Sequence, residues 1–335
     1  MPHINAADVT LAQLSLDAYS DTAALPTGFI APPLALSPTP GVSYSNGSFH
    51  AGSGAALVST GLLNGEQTLV VAFRGSDDAV DSRHDLGGIN GAYADFAPLV
   101  QAVDAYAASG AVQQVVVTGH SLGGAMAQLY MATHPDQPGG PAHEAVTFGS
   151  PGAQLAAAPD ARIDNLVIAD DPAVLLGVHR AEVGAVLAAN PALAQAAAQQ
   201  AALEFPGLTA EEALASLPLL TSNYVNRGDL TLLPAADGRL DPSAALHLDP
   251  AEHDMALYLA RTTAAAAGTG PSLDVPQQPL TAMQALDRAV YAGDTSAIGS
   301  KALVDAAVAN WPQAPHALDQ AGTWLSALHH DLPFG

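Results

Sequence analysis

Apolar and polar positions along the chain change period several times, and each change predicts an element. Val9, Leu11, Leu14 and Ala18 recur at loosely helical spacing, and the stretch 25–46 that follows is crowded with proline, glycine and serine. A helix and then a loop are expected. Two short apolar runs come next, 55–63 and 68–73, joined by Asn64-Gly65, a dipeptide that favours a tight hairpin turn. Beyond them strand-like and helix-like segments alternate: 115–118 then 122–133, 145–148 then a loop, 165–169 then more helix, with 230–233 as the last strand. Such alternation predicts an α/β fold, a mostly parallel sheet covered by helices on both faces.

The pattern shifts again at 181–220, an alanine- and leucine-rich stretch with few charges, and at 268–280, where Gly, Pro and Ser gather as in a linker. Past that point Leu280, Met283, Leu286 and Val290 form one helical stripe, and Leu318, Ala321, Leu325 and Leu328 another. The predicted organisation is a catalytic domain over 1–267, carrying a helical insertion at about 181–220, and a linker with a small helical appendage over 268–335. Ordinary packing on the main domain accounts for the two stripes.

Composition narrows the function. Hydrophobic residues make up 49% of the 335 and charged ones 12%, which excludes a globally disordered chain. Nine Lys and Arg stand against 32 Asp and Glu, a net charge of −23, and Lys301 is the single lysine. Binding to nucleic-acid phosphates is excluded on that balance. With no cysteine there are no disulfides, thiolate metal sites or cysteine nucleophiles. No run of about eighteen apolar residues is uninterrupted, so no integral membrane segment is expected; the richest window, 183–205, is broken by Asn190, Pro191 and three glutamines. The N-terminus has no basic stretch followed by an apolar one, so the expectation is export without a cleaved leader, with a cytoplasmic home as the alternative.

The sharpest chemical signal is the run 115–124, Val-Val-Val-Thr-Gly-His-Ser-Leu-Gly-Gly, in which an apolar strand enters G-x-S-x-G and leaves as a helix. A turn that sharp needs glycine at 119 and 123, where strand and helix backbones close on each other, and it presents Ser121 at a helix N-terminus. A serine hydroxyl needs an imidazole to take its proton and a carboxylate to orient the ring. In the order Ser, acid, His, the acid falls just after a strand end. Asp170-Asp171-Pro172 follows 165–169, and Asp171, held extended before proline, is preferred, with Asp170 in reserve. Among the histidines beyond the acid, His253 stands where Asp249, Pro250 and Glu252 read as N-cap, first position and third position of a helix. A positive helix end would favour its neutral form. His247, just upstream, is the reserve base. The oxyanion donors are the N–H of Leu122 and that of Ser76, which follows Phe73-Arg74-Gly75 at a strand end. Arg74 is expected to pair with Asp81 or Asp85. The acidic stretch 77–85 lacks the ligand order of a calcium loop and reads as surface charge, so neither metal nor cofactor is called for.

Four blocks together resemble the class 3 lipase family: Val70 to Ser76, Val117 to Ala125, Thr147-Phe148-Gly149-Ser150-Pro151, and Asp171-Pro172. The resemblance implies an α/β-hydrolase fold, Ser121 as nucleophile, Asp171 as acid, His253 as base, and Ser76 and Leu122 as oxyanion donors. It covers about residues 55–260. Relatives usually carry Asp-Trp and then Asp-Leu after the Phe-Arg-Gly-Thr/Ser block, whereas this chain has Ser82 in the tryptophan's place, before Asp85-Leu86. In fungal relatives a lid helix starts near that block, and only 77–80 are available here. The spacing of 82 residues from Asp171 to His253 is long for the family. The extra length is the stretch 181–220, either a lid over an acyl-binding pocket or an additional packed helical hairpin.

The function implied is hydrolysis of a carboxylic ester in a small-molecule or lipid substrate, with contact at a lipid interface. Acylglycerols come first, then phospholipid acyl bonds, then polyesters. The competing class is a hydrolase-fold binding or effector protein without turnover.

Overall fold

The structure is a computed structural model that describes residues 4–22, 24–76, 89–168, 171, 173–174, 177, 180–189, 191–204, 208–235, 238 and 250–275. Helix α1 (Ala6–Asp17) opens the fold. Asn5 caps it, accepting from Ala7 N–H while Asp8 accepts from the Asn5 N–H. Strands β1 (Val42–Ser45), β2 (Ser48–Ala51), β3 (Gly54–Leu63) and β4 (Glu66–Phe73) then pair antiparallel in succession. Asn64 and Gly65 turn β3 into β4 with φ of 52° and 87°, and Asn46 and Gly47 do the same between β1 and β2 with 52° and 90°. Both central residues at positive φ give the turn twist that a hairpin requires. The stretch 25–46 is therefore a loop only up to β1.

Strands β5 (Gln114–His120), β6 (Ala142–Phe148), β7 (Ile163–Ile168) and β8 (Asp229–Leu233) extend the sheet in parallel from β4. Among the described residues the sheet has nine strands, arranged in the order of the sequence. The last is β9 (Leu273–Val275), antiparallel to β8. Thus 230–233 is not the final strand, and the segment expected to be a linker supplies an edge strand instead. Three residues sufficed because β8 offered an unpaired row of backbone groups.

Both faces of the central strands are covered, as continuous apolar runs predict. Leu69, Val71, Phe73, Val115 and Val117 point toward α2 (Ala97–Ala108) and α3 (Leu122–Thr133), joining Phe96, Leu99 and Met126. Val70, Ala72 and Val116 point the other way, where α1 and α7 (Met255–Ala266) bring Leu11, Leu14, Met255 and Tyr258. Each such valine or leucine, fully buried, contributes roughly 1.5–3 kcal/mol. The apolar stretch between β7 and β8 forms α4 (Arg180–Ala189), α5 (Pro191–Glu204) and α6 (Ala210–Ser216), a helical insertion as expected. Its exit folds back on its entry, since a Cβ on Gly184 would fall 2.2 Å from the Leu220 carbonyl. Among the described residues no helix is long and apolar enough to cross a membrane. The stripes at 280–290 and 318–328 lie outside the described residues.

Candidate active site

The end of β5 turns into α3 within one residue, and that residue is Ser121. Its φ of 55° and ψ of −127° are reached by few side-chain-bearing residues and cost on the order of 1–3 kcal/mol. The glycines around it permit the turn. A Cβ on Gly119 would lie 2.4 Å from the Gly123 backbone, and one on Gly123 would lie 2.1 Å from the Phe73 carbonyl. Two hydrogen bonds hold the elbow: Ser121 N–H donates to the Phe148 carbonyl at 3.0 Å, and Gly124 N–H donates to the Ser121 carbonyl at 2.9 Å.

Three buried side chains meet beside it. Ser121 Oγ lies 2.8 Å from His253 Nε2, and His253 Nδ1 lies 2.9 and 3.0 Å from the two oxygens of Asp171. A carboxylate only accepts, so Nδ1 carries the ring proton and Nε2 is left to accept from the serine hydroxyl. Ser121 follows β5, Asp171 follows β7 and His253 comes after β8, so all three gather beyond the C-terminal ends of parallel strands, where α/β sheets open their crevices. Asp171 has two further donors. Ala173 N–H reaches Oδ1 at 2.8 Å and the Tyr258 hydroxyl reaches Oδ2 at 2.5 Å.

Tyr258 is a member of this group that the sequence did not single out. Its oxygen also accepts from Ile168 N–H at 3.1 Å. Burial, then the Asp171 charge and the hydrogen bond to it, push its pKa well above the ordinary phenol range, against the pull of the Ile168 bond. It therefore stays a donor. Gly149, at φ 57°, makes room for this pair, for a Cβ there would be 2.7 Å from Asp171 Oδ2 and 3.0 Å from the phenol oxygen. A tyrosine on the apolar face of a helix reads as core from sequence alone, and only the rotation of α7 about its axis turns the hydroxyl to Asp171.

The helix expected to start at Asp249 begins later. Pro250–His253 is a 3-10 turn, and Asp254, extended at φ −70° and ψ 124°, caps α7 by accepting from Ala256 N–H at 2.7 Å. His253 thus precedes the helix rather than lying in its first turn, and its partners, not the helix end, set its tautomer. The reserve candidates Asp170 and His247 lie outside the described residues. So do Asp81 and Asp85. Among the described residues Arg74 donates through Nε to the Ala18 carbonyl at 2.6 Å and pairs through Nη2 with Asp21, partners supplied by the turn after α1.

Ser76 is buried three residues past β4, whose Phe73 is in register with Gly119 of β5. Leu122 is the first residue of α3. Ser76 and Leu122 thus follow the ends of two adjacent parallel strands. Behind the elbow a buried amide pair links α3 to β7, the strand that leads to Asp171. Asn165 Oδ1 accepts from Gln128 Nε2 at 2.8 Å and from the Thr147 hydroxyl at 2.7 Å, while Asn165 Nδ2 donates to the carbonyls of Arg227 and Asp229 at 2.8 and 3.0 Å. Gln128 in turn accepts from Arg227 N–H at 2.9 Å.

Residues 10–166 match the phospholipase-like family model described as a Tle-like phospholipase domain. The similarity is to a lipase-like or phospholipase-like group. It is not to the class 3 lipases in particular. The matched span takes in Ser76, Ser121 and Leu122 and stops short of Asp171 and His253. No curated protein matches the sequence. Among solved structures, the native Rhizomucor miehei lipase propeptide complex is 18% identical, with 49% of this chain and 60% of that one covered and a TM-score of 0.31. A deletion mutant of the same complex is 16% identical, with 70% and 68% covered and a TM-score of 0.36. This chain therefore spans less than two thirds of the first of these.

Proposed function

We propose that this chain is a serine carboxylic-ester hydrolase acting on lipid acyl esters. The observation that carries the proposal is the hydrogen-bonded chain Ser121 Oγ, His253 Nε2, His253 Nδ1, Asp171, assembled at a strained strand-to-helix turn. Ser121 attacks the ester carbonyl while His253 accepts its proton. The tetrahedral oxyanion is held by the N–H groups of Leu122 and Ser76, and His253 then returns the proton to the departing alcohol. Water, deprotonated by the same imidazole, releases the acyl group and restores the serine. Asp171 holds the ring's tautomer and stabilises the imidazolium, and its Tyr258 and Ala173 donors hold the carboxylate in place.

The family match favours phospholipid acyl esters over triacylglycerols as the physiological class, and the excess of acidic groups disfavours strongly anionic surfaces. The insertion α4–α6 is proposed to cover the acyl site. The test is a set of vesicles and emulsions that share one acyl chain, as phosphatidylcholine, diacylglycerol and triacylglycerol, given to the wild type and to Ser121→Ala. Fatty acid released faster from phosphatidylcholine by the wild type and by none of the Ser121→Ala samples is the expected outcome. Release from none of them, with no fluorophosphonate labelling of Ser121, would favour a non-enzymatic binding role.

A further inference from the structure

The far end of α1 reaches into the site from behind. The Tyr19 hydroxyl lies 2.9 Å from Nδ1 of His120, the residue before Ser121. The His120 ring in turn packs against the ring of His253, with centroids 4.5 Å apart at 37°, and has Tyr258 at 5.7 Å on another side. One residue before Tyr19, the Ala18 carbonyl accepts from Arg74, and two residues after it Asp21 pairs with the same guanidinium. Gly75 is pressed between these contacts. A Cβ on it would fall 2.0 Å from the Tyr19 hydroxyl and 2.7 Å from the His120 carbonyl. The turn 18–21 therefore touches the residue before Ser76, the residue before Ser121 and, through one ring, His253.

Packing of α1 does not require these links. Ala7, Leu11, Ala12 and Leu14 already bury its apolar face. The polar contacts at its end are directed at the site instead. His120 is buried, and burial together with the neighbouring His253 keeps its pKa well below the usual imidazole value, against a hydrogen bond to the His253 backbone. A neutral ring accepts the phenol proton at Nδ1 and presents an uncharged face to His253.

We propose that Tyr19 and His120 are positioning residues for the hydrolysis proposed above. The phenol fixes the His120 ring, that ring braces the His253 imidazole against rotation away from Ser121, and the same phenol seats Gly75 so that the Ser76 N–H keeps its distance from the developing oxyanion. Neither side chain touches the ester. The inference rests on the Ser121, His253 and Asp171 assignment. It adds that the N-terminal helix is part of the machinery and not only of the core.

The experiment uses the full chain as wild type, Tyr19→Phe, His120→Phe and the double variant, with p-nitrophenyl butyrate as the ester. Steady-state kcat and KM, the rate of fluorophosphonate labelling and the thermal midpoint are read together. Phenylalanine at 19 keeps the ring and removes only the hydroxyl, and at 120 it keeps an aromatic ring while removing both ring nitrogens. In each single variant kcat should fall about tenfold with KM nearly unchanged, the size one shared hydrogen bond can set. Labelling should slow in parallel, and the double variant should be no slower than the worse single, because the pair acts as one unit. Unchanged kcat in Tyr19→Phe, or losses in the two singles that multiply in the double, would overturn the proposal, as would a kcat loss that follows the melted fraction. A wild type that neither turns over the ester nor takes the label would instead remove the underlying assignment, and the positioning role with it.

Discussion

Changing Tyr258 to phenylalanine deletes one oxygen from the site and leaves the ring in place. That oxygen serves two buried partners, Asp171 Oδ2 at 2.5 Å and Ile168 N–H at 3.1 Å. A hydrogen bond to a buried charge contributes about 1.5–3 kcal/mol, and a stranded backbone N–H costs about 1–3 kcal/mol. Asp171 retains Ala173 N–H and His253 Nδ1–H, so part of the loss is offset and a fall in stability of roughly 2–4 kcal/mol is expected. Urea unfolding reads this as a lower midpoint with an unchanged slope. The kinetic effect has a direction of its own. A carboxylate with one donor fewer holds the imidazolium more strongly, so the His253 base protonates at higher pH and the acid limb of kcat/KM moves up. Looser orientation of the ring lowers kcat by about 10- to 100-fold, equivalent to roughly 1.4–2.7 kcal/mol at the barrier. Profiles of kcat/KM for p-nitrophenyl butyrate between about pH 4.5 and 9 decide the matter. If the two acid limbs superimpose and kcat is equal, the reasoning that the phenol holds Asp171 for catalysis is wrong, whatever the urea curves show.

Other outcomes follow from the same contacts. Ser121→Gly removes the nucleophile but relieves the φ of 55°, so activity should vanish while the thermal midpoint rises, by an amount worth about 1 kcal/mol. Gly123→Ala drives a methyl to 2.1 Å from the Phe73 carbonyl and should cost several kcal/mol, about 3 or more, seen as lost soluble yield or an early melt. Asn165→Leu strands Gln128, Thr147 and two carbonyls, and a loss of about 3 kcal/mol or more in urea unfolding is expected. His120 gives a pH signature. Its folded pKa is depressed below the ordinary 6.5, so as pH falls through that value the unfolded chain binds a proton that the folded chain does not. Stability is then intact above about 6.5 and declines below it, and His120→Phe should flatten that decline in melts run from pH 8 to 5.

Much of this architecture is visible in the order of residues. Three consecutive valines before Gly119, with both faces of the strand buried, could only be an interior strand, and the glycines at 119 and 123 announce the close approach that follows. Ser121 and Asp171 are legible because each stands just past an apolar run, and His253 because Asp249, Pro250 and Glu252 mark a helix start after 230–233. What escaped depends on distant partners. Nothing in the residues around Arg74 points to Asp21, which is 53 positions earlier, and no local pattern says that Tyr258 faces a carboxylate 87 positions before it. The start of α7 is hidden for a related reason: Asp249 and Asp254 are equally good caps by residue type, and nothing local says that Asp254 is the one that accepts from Ala256 N–H. Strand β9 is not legible because three residues carry too little periodicity to stand out, whereas the Asn46-Gly47 turn carries the same signal as Asn64-Gly65.

The neighbour-to-neighbour order of the nine strands bears on how the molecule is born. Each strand emerging from the ribosome finds its partner already in place, so the sheet can grow in one direction without waiting for chain still to be made. Ser121 is presented early in that growth, and His253 arrives only after β8, on the turn that leads into the helix packed against α1. On the proposed chemistry, a nascent chain shorter than about 250 residues would hold the kinked Ser121 hydroxyl without the His253 imidazole that takes its proton. On the proposed chemistry, arming the site waits until the helix that follows His253 clasps α1.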